Sequence, residues 1–368
     1  MVNKKNLRCI VAAGGTGGHL FPALSVVEEL KRNNNDASFL FIGTKNKIEA
    51  EVIPELGYKF KTIWVSGLNR GAIIKNLLFP LKVIVSTVQS FFINLKFKPN
   101  VAIGAGAYVS GPIVWAASML GSKIVLLEQN SYPGVTNRML EKKADRIYIS
   151  FEDSRQYFKC KDKLKLMGNP VRTTLNLIDK TEANKKLNLD SNKKTLLIIG
   201  GSLGARSINN AISKLAEKII EKNIQVIWQT GSLYYDEFKN LENKNLIIKP
   251  FIKDMTSAYS AADLVIARAG ATTISEAAYL SLPVIFIPST NVAANHQHKN
   301  AMSLVNENAG LLIEDAKIET DLLNVIEKTI YNEKKLSELK SNINKFSKPN
   351  AAKEIAEEIL KLSELRKN

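Results

Sequence analysis

Cysteine is almost absent: Cys9 and Cys160 are the only two. One sits in an apolar, strand-like run and the other in a charged stretch. Neither a disulfide framework nor a CxxC metal site is available, so a reducing cytoplasm is the expected compartment. Long hydrophobic runs are also missing. The N-terminal apolar segment is too short for a signal sequence and leads straight into a fold motif. The most apolar region, about residues 72–95, is broken by Lys75, Asn76, Pro80, Lys82 and Gln89. It reads as a poor spanning helix, which leaves attachment to a membrane surface open. Acidic residues are in deficit, 35 against 51 lysines and arginines, for a net charge of +16. That excess suits an anionic partner, whether nucleic acid, lipid surface or phosphorylated substrate, although a Lys- and Asn-rich coding bias explains it equally well. No recognition helix or aromatic RNA-binding signature accompanies the charge, so no nucleic-acid partner is expected.

What is present is globular: 45% hydrophobic and 23% charged residues in 368, enough for two domains with a core each. Leu7 to Ala13, Ser38 to Ile42, Asn100 to Ile103, Lys123 to Leu127 and Arg146 to Ile149 are short apolar runs, as in strands buried on both faces of a parallel sheet. Between them, Phe21 to Arg32 has helical spacing with Pro22 in a first turn, and Pro112 opens a helix that Gly121 caps. The pattern restarts with strands at Thr195 to Ile199, Gln225 to Gln229, Leu264 to Ala267 and Val284 to Ile287, and a helix at Ile208 to Ile220. Alternating strands and helices predict two doubly wound α/β domains with parallel sheets. The expected division is 1–168, 169–345, and a C-terminal helix in 346–368 that packs back on the first domain. Ligands of such folds bind at the carboxyl ends of the strands, here in a cleft between the domains.

Three glycine-rich turns follow strands: Gly14-Gly15-Thr16-Gly17-Gly18-His19, GAGAYVSGP at 104–112, and Gly200-Gly201-Ser202-Leu203-Gly204-Ala205. A glycine turn before a helix leaves N–H groups free to hold an anion, and the helix dipole adds to this. The anion is not a dinucleotide. Leu20 stands where the third glycine of that fingerprint belongs, and the second strand ends Ile42-Gly43-Thr44 with no ribose carboxylate. No GxxxxGK[ST] exists, which excludes a P-loop. In Arg268-Ala-Gly-Ala-Thr-Thr-Ile-Ser-Glu276, Gly270 admits a phosphate closely, Thr272 and Thr273 offer hydroxyls, and Glu276 suits a ribose diol. An N-cap with a dipole-compensating carboxylate fits that spacing equally well.

The order GGTGGH at 14–19, GAGAYVSGP at 104–112, EQN at 128–130, GNPVR at 168–172, GGSLGA at 200–205, RAGATTISE at 268–276 and NHQHKNA at 295–301 resembles the MurG family. These are the UDP-N-acetylglucosamine:lipid I N-acetylglucosaminyltransferases of glycosyltransferase family 28, with the GT-B fold of two Rossmann-like domains facing across a cleft. The likeness runs to about residue 345. Two departures stand out. The chain has Ala107-Tyr108 where the family often has Gly-Tyr, and Leu127 where a histidine often precedes the EQN motif.

The resemblance implies an inverting transfer of N-acetylglucosamine from UDP-N-acetylglucosamine to the 4-hydroxyl of the muramyl sugar of lipid I, with no cofactor and no metal. It assigns Ile252 to the uracil through its backbone and Glu276 to the ribose. Ser202 and the helix start of Ala271, Thr272, Thr273, Ile274 and Ser275 go to the diphosphate, and Gln297 to the sugar. Arg172 would pair with donor phosphate, while Thr16, Gly17, Gly18 and Asn130 close from the N-terminal side. For the base, His19 is the first candidate, since a helix N-terminus disfavours its protonated form. A capping or diphosphate-donating histidine is the other reading of it. Glu128 is the second candidate, or else a structural carboxylate. His296 and His298 form a lone His-x-His and predict no metal site.

The acceptor that the resemblance implies is a polyprenyl diphosphate, so the enzyme is expected on the cytoplasmic face of the membrane, peripherally. Ile73, Ile74, Leu77, Leu78 and Phe79 form an apolar cluster ringed by Arg70, Lys75 and Lys82, with Trp115 as a further member. Apolar contact beside cationic residues is the physics of anionic interfacial binding; an ordinary core helix is the competing reading. Two other functions compete with the transferase: a UDP-N-acetylglucosamine 2-epimerase on the same fold, and a non-enzymatic basic membrane- or nucleic-acid-binding protein.

Overall fold

The computed structural model describes residues 6–67, 77–171, 175–201, 203–290, 292 and 295–364. The chain divides into two units, Met1–Arg172 with Lys348–Asn368, and Thr173–Ser347.

The first unit runs β1 (Arg8–Ala12), α1 (Gly17–Asn33), β2 (Ser38–Gly43), α2 (Glu49–Glu55), β3 (Lys59–Thr62), α3 (Phe79–Phe97), β4 (Val101–Gly104), α4 (Ala107–Met119), β5 (Lys123–Glu128), α5 (Val135–Leu140), β6 (Arg146–Ile149) and β7 (Leu164–Leu166). Its described strands form one parallel sheet in the order β3-β2-β1-β4-β5-β6-β7. Both faces of the central strands are covered, which is why β1, β2, β4, β5 and β6 are largely apolar, whereas the edge strands β3 and β7 are only partly buried. Cys9 and Val11 pack with Leu20, Val27 and Leu30 of α1. Ile10 and Ala12 pack with Ile113 and Val114 of α4. The chain winds outward from β1 in one direction and from β4 in the other, so the turns after these neighbouring strands diverge and leave a crevice.

The second unit runs α6 (Lys180–Leu187), β8 (Lys194–Ile199), α7 (Arg206–Glu221), β9 (Ile224–Gln229), α8 (Tyr235–Phe238), β10 (Leu246–Lys249), α9 (Met255–Ala261), β11 (Leu264–Ala267), α10 (Ala271–Tyr279), β12 (Val284–Phe286), α11 (His296–Val305), β13 (Leu311–Leu312), α12 (Ile318–Ile330) and α13 (Glu333–Asn344). Its described strands are again all parallel, in the order β10-β9-β8-β11-β12-β13. The switch point lies between β8 and β11.

Helix α14 (Ala351–Glu364) returns to the first unit. Its Ile355, Ala356, Ile359 and Leu362 join the core around Leu20, Val27 and Leu30. The outgoing and returning segments pass closely at Gly168, where an added Cβ would stand 2.4 Å from Cβ of Lys348 and where φ is +83°, so glycine is required there. Ile359 is fully buried. Ile359→Ala is expected to destabilise the first unit by about 2–4 kcal/mol through the cavity it leaves. A urea midpoint unchanged from the parent would show that α14 contributes no packing.

Two helices begin earlier than their prolines suggest. α1 starts at Gly17 and α4 at Ala107, which places Pro22 and Pro112 each at the sixth helical residue. The glycine-rich segments themselves form the first helical turn. Each proline then forfeits one backbone hydrogen bond near the start rather than a run of them.

Candidate functional site

In the first unit the turn after β1 is built around a carboxylate. Glu49, fully buried at the start of α2, accepts from the Gly15 N–H at 3.0 Å, the Thr44 N–H at 3.0 Å and the Thr44 hydroxyl at 2.9 Å. A Cβ at Gly14 would lie 2.5 Å from Oε1 of Glu49 and one at Gly43 2.4 Å from its Cγ, so both glycines make room for it. The Gly15 amide is therefore matched to an internal anion. Thr16 is the N-cap of α1, and its carbonyl accepts from the N–H groups of His19 and Leu20, both at 3.2 Å.

His19 lies in the first turn of α1 with Nδ1 3.1 Å from Oε1 of Gln129, the residue after β5, and the ring also contacts the Ala105 backbone. Burial lowers its pKa below the ordinary histidine value; the Gln129 and Ala105 bonds oppose the shift without reversing it. The ring is neutral at pH 7. Glu128, in contrast, is deeply buried and fully engaged. Its Oε1 accepts from the Asn130 N–H at 3.0 Å, and its Oε2 from the Gly134 N–H at 3.0 Å and Nδ2 of Asn137 at 2.8 Å. Burial raises its pKa and these three partners pull it back. Glu128 thus ties together the loop that carries Gln129 and Asn130.

In the second unit, the turn after β8 packs on the turn after β9 so tightly that a Cβ on Gly204 (φ +77°) would lie 1.9 Å from the Thr230 carbonyl. Gln229 links this turn to the next: its Nε2 donates to the Gly201 carbonyl at 3.0 Å and its Oε1 accepts from the Ile252 N–H at 2.8 Å. Ser202 and Arg172 lie outside the described residues. Helix α10 starts at Ala271 after Gly270, and the Ser275 hydroxyl donates to the Ala271 carbonyl at 2.9 Å within the helix. The Thr272 hydroxyl is buried with no hydrogen-bond partner among the described residues, and Thr273 is partly exposed in the same turn. Ile274 is core. Glu276 is buried, and the hydroxyl of Tyr259, itself buried, donates to its Oε2 at 3.0 Å.

Arg268 is a structural clip. It pairs with Asp315, donates to the Ile287 carbonyl at 3.0 Å and to the Ser207 hydroxyl at 2.7 Å. Gln297 in α11 uses its Oε1 to accept from the Ser289 N–H at 2.9 Å. His298 meets Glu314 at 3.0 Å. Glu49, Gln129, Gln229 and Tyr259 carry the geometry around the expected residues, and spacing alone did not mark them.

Helix α3 is inverted relative to a globular helix. Its buried residues are Ser86, Ser90 and Asn94, which donate to the Val83, Ser86 and Ser90 carbonyls, with Nδ2 of Asn94 also reaching the Ile113 carbonyl on α4 while its Oδ1 has no partner among the described residues. Its apolar residues face outward: Leu77 just before it is 81% exposed, Ile84 62% and Phe92 65%, with Leu78, Leu81, Val88 and Leu95 exposed as well. Ile93 and Phe97 are the apolar residues of this helix that pack on the core. Trp115 on α4 and Trp64 are also exposed, Phe79 is partly so, and Lys82 lies over the Trp64 ring. Ile73, Ile74, Arg70 and Lys75 lie outside the described residues. No described helix is long and apolar enough to cross a membrane.

Residues 9–149 match the N-terminal domain of glycosyltransferase family 28, and residues 195–355 its C-terminal domain. The chain is 44% identical over 362 residues, 98% of each chain, to the UDP-N-acetylglucosamine–N-acetylmuramyl-(pentapeptide) pyrophosphoryl-undecaprenol N-acetylglucosamine transferase of Flavobacterium psychrophilum. It is 42% identical over 369 residues to the enzyme of that name from Bacteroides thetaiotaomicron, covering 98% of this chain and 99% of the other. Among solved structures, Acinetobacter baumannii MurG matches with a TM-score of 0.75 at 26% identity, over 97% of this chain and 99% of that one. A UDP-N-acetylglucosamine 2-epimerase matches at 0.63 over 99% and 98%, but at 14% identity this is a likeness of fold alone.

Proposed function

The chain belongs to glycosyltransferase family 28, and from that premise we infer that it transfers N-acetylglucosamine from UDP-N-acetylglucosamine to the muramyl sugar of undecaprenyl-diphosphate-linked lipid I, forming lipid II. The observation that carries this reading is identity above 40% across almost the whole chain to transferases named for that reaction.

The second unit takes the donor. The Ile252 N–H is engaged by Gln229, so its carbonyl is the group offered to the uracil N–H. Glu276, with one oxygen held by Tyr259, accepts from the ribose hydroxyls. The N-terminus of α10 at Ala271–Thr273, together with the Gly200–Gly204 turn, Ser202 and Arg172, receives the diphosphate, and Gln297 the sugar. Transfer inverts the anomeric carbon. The muramyl 4-hydroxyl attacks that carbon, its proton passes to Nε2 of His19, and the bond to the diphosphate oxygen breaks as UDP leaves. Preorganised N–H dipoles at the start of α10 stabilise the charge that develops on the departing phosphate. The family resemblance also assigns Thr16, Gly17, Gly18 and Asn130 to the substrates.

The inverted face of α3, with Leu77, Leu78, Phe79 and Trp115 beside Lys82, docks on the anionic surface that holds the acceptor, at the cytoplasmic face of the membrane. Ile73 and Ile74 belong to the same cluster in the sequence. Leu78→Glu is expected to weaken binding to phosphatidylglycerol vesicles about tenfold or more, from the lost burial of one leucine, while UDP binding stays unchanged. Vesicle binding equal to the parent would dispose of this docking face.

The activity itself is tested by UDP release from UDP-N-acetylglucosamine with and without a lipid I analogue. Release that requires the acceptor, with a disaccharide product, is the expected result. Interconversion to the manno-sugar without acceptor would make the chain an epimerase, and no binding of UDP would remove both enzymes.

A further inference from the structure

We propose that Gln129 orients the His19 imidazole, as a positioning residue for the proton transfer; this rests on His19 being the base. Three strand ends supply the arrangement. His19 follows β1, Gly106 follows β4 and Gln129 follows β5, and Oε1 of Gln129 lies 3.1 Å from Nδ1 of the ring. A Cβ on Gly106 would fall 2.9 Å from that nitrogen and 3.6 Å from the same Oε1, and φ there is +87°. The missing side chain at 106 is what lets the imidazole and the carboxamide meet.

Stability does not account for a glutamine here. Gln129 is only 2% exposed, and its Nε2 has no hydrogen-bond partner among the described residues. A buried donor left unmatched costs about 1–3 kcal/mol, which a methionine of similar volume would avoid. The gain lies in the ring. With Oε1 as acceptor, Nδ1 carries the hydrogen and Nε2 holds the lone pair that a base needs. The carboxamide also fixes the ring plane without adding charge, so burial keeps the imidazole neutral. A carboxylate at this place would do the reverse. The other titratable groups near these turns are committed elsewhere. Glu49 from α2 is bound to Gly15 and Thr44, Tyr108 from α4 meets Thr44, and Glu128 from β5 is bound to Asn130, Gly134 and Asn137. Glu128 thereby anchors the loop from which Gln129 reaches the ring.

The test uses the whole enzyme with UDP-N-acetylglucosamine and a lipid I analogue. Gln129→Glu is expected to move the acid limb of kcat/KM upward by about one pH unit, because an anion beside the ring favours imidazolium. Gln129→Met is expected to lower kcat about 10- to 100-fold with KM for the donor unchanged, the usual loss when an orienting partner is removed. In a His19→Ala background neither substitution should lower the rate further. An acid limb that stays in place in Gln129→Glu, or a Gln129→Met loss that persists at full size without His19, would overturn the proposal and leave Gln129 a structural residue. A near-normal rate in His19→Ala alone would instead remove the base, and the proposal with it.

Discussion

His19→Ala lowers kcat by about 10²–10⁴-fold and leaves KM for UDP-N-acetylglucosamine near its starting value, the signature of a lost general base. Of the residues proposed for the donor, Arg172 alone falls in the first unit and the rest in the second, so removing the His19 imidazole is expected to leave the nucleotide grip whole. The pH profile separates this from simple damage. Burial lowers the His19 pKa, so the neutral, proton-accepting form dominates at pH 7 and above. The parent rate therefore falls only as pH drops below the ordinary histidine range, and that limb vanishes in the alanine variant. A variant that keeps the limb, or loses donor affinity along with rate, would place the base elsewhere. Glu128 is poorly suited to replace it, since both its oxygens already hold its own loop.

Glu276→Ala raises KM for the donor about 10- to 100-fold, the worth of a hydrogen bond to a buried carboxylate. Here kcat stays near the parent value, because the ribose is remote from the bond that breaks. The comparison with a 2′-deoxy donor is decisive. The parent enzyme should lose affinity for it, and the Glu276→Ala enzyme should lose little more. Tyr259 donates to one carboxylate oxygen, so that oxygen is fixed before the nucleotide arrives. A variant with unchanged KM and reduced kcat would move Glu276 from the nucleotide to the chemistry.

The sequence spelled out the repeated strand–glycine–helix units because parallel strands covered on both faces must be apolar throughout. The runs at Arg146–Ile149 and Leu264–Ala267 have the same limits in the structure as in the sequence. β3 is Lys-Phe-Lys-Thr, with one large apolar residue at a sheet edge, and β13 has only two residues, so neither carried a pattern. The starts of α1 and α4 were hidden because glycine reads as a turn, whereas at these switch points glycines and small residues form the first helical turn. At the site, motifs marked the residues that the resemblance assigns to substrate. The side chains that hold them escaped notice for a physical reason. Gln129 meets His19 across 110 residues of sequence, Glu49 meets Gly15 across 34, and Tyr259 meets Glu276 from the preceding helix. Such pairings depend on which strand lies beside which, and spacing along one segment does not encode that.

The return of α14 to the first unit has a consequence for biosynthesis. Leu20, Val27 and Leu30 of α1 leave the ribosome early, but Ile355, Ala356 and Ile359, which share their core, follow only after the whole of Thr173–Ser347. At about 5–20 residues per second the first unit waits roughly 10–35 s with that groove uncovered. A nascent chain interrupted before Ala351 keeps an apolar cleft open to chaperones and proteases. The helix thus serves as a seal applied once translation has passed the second unit.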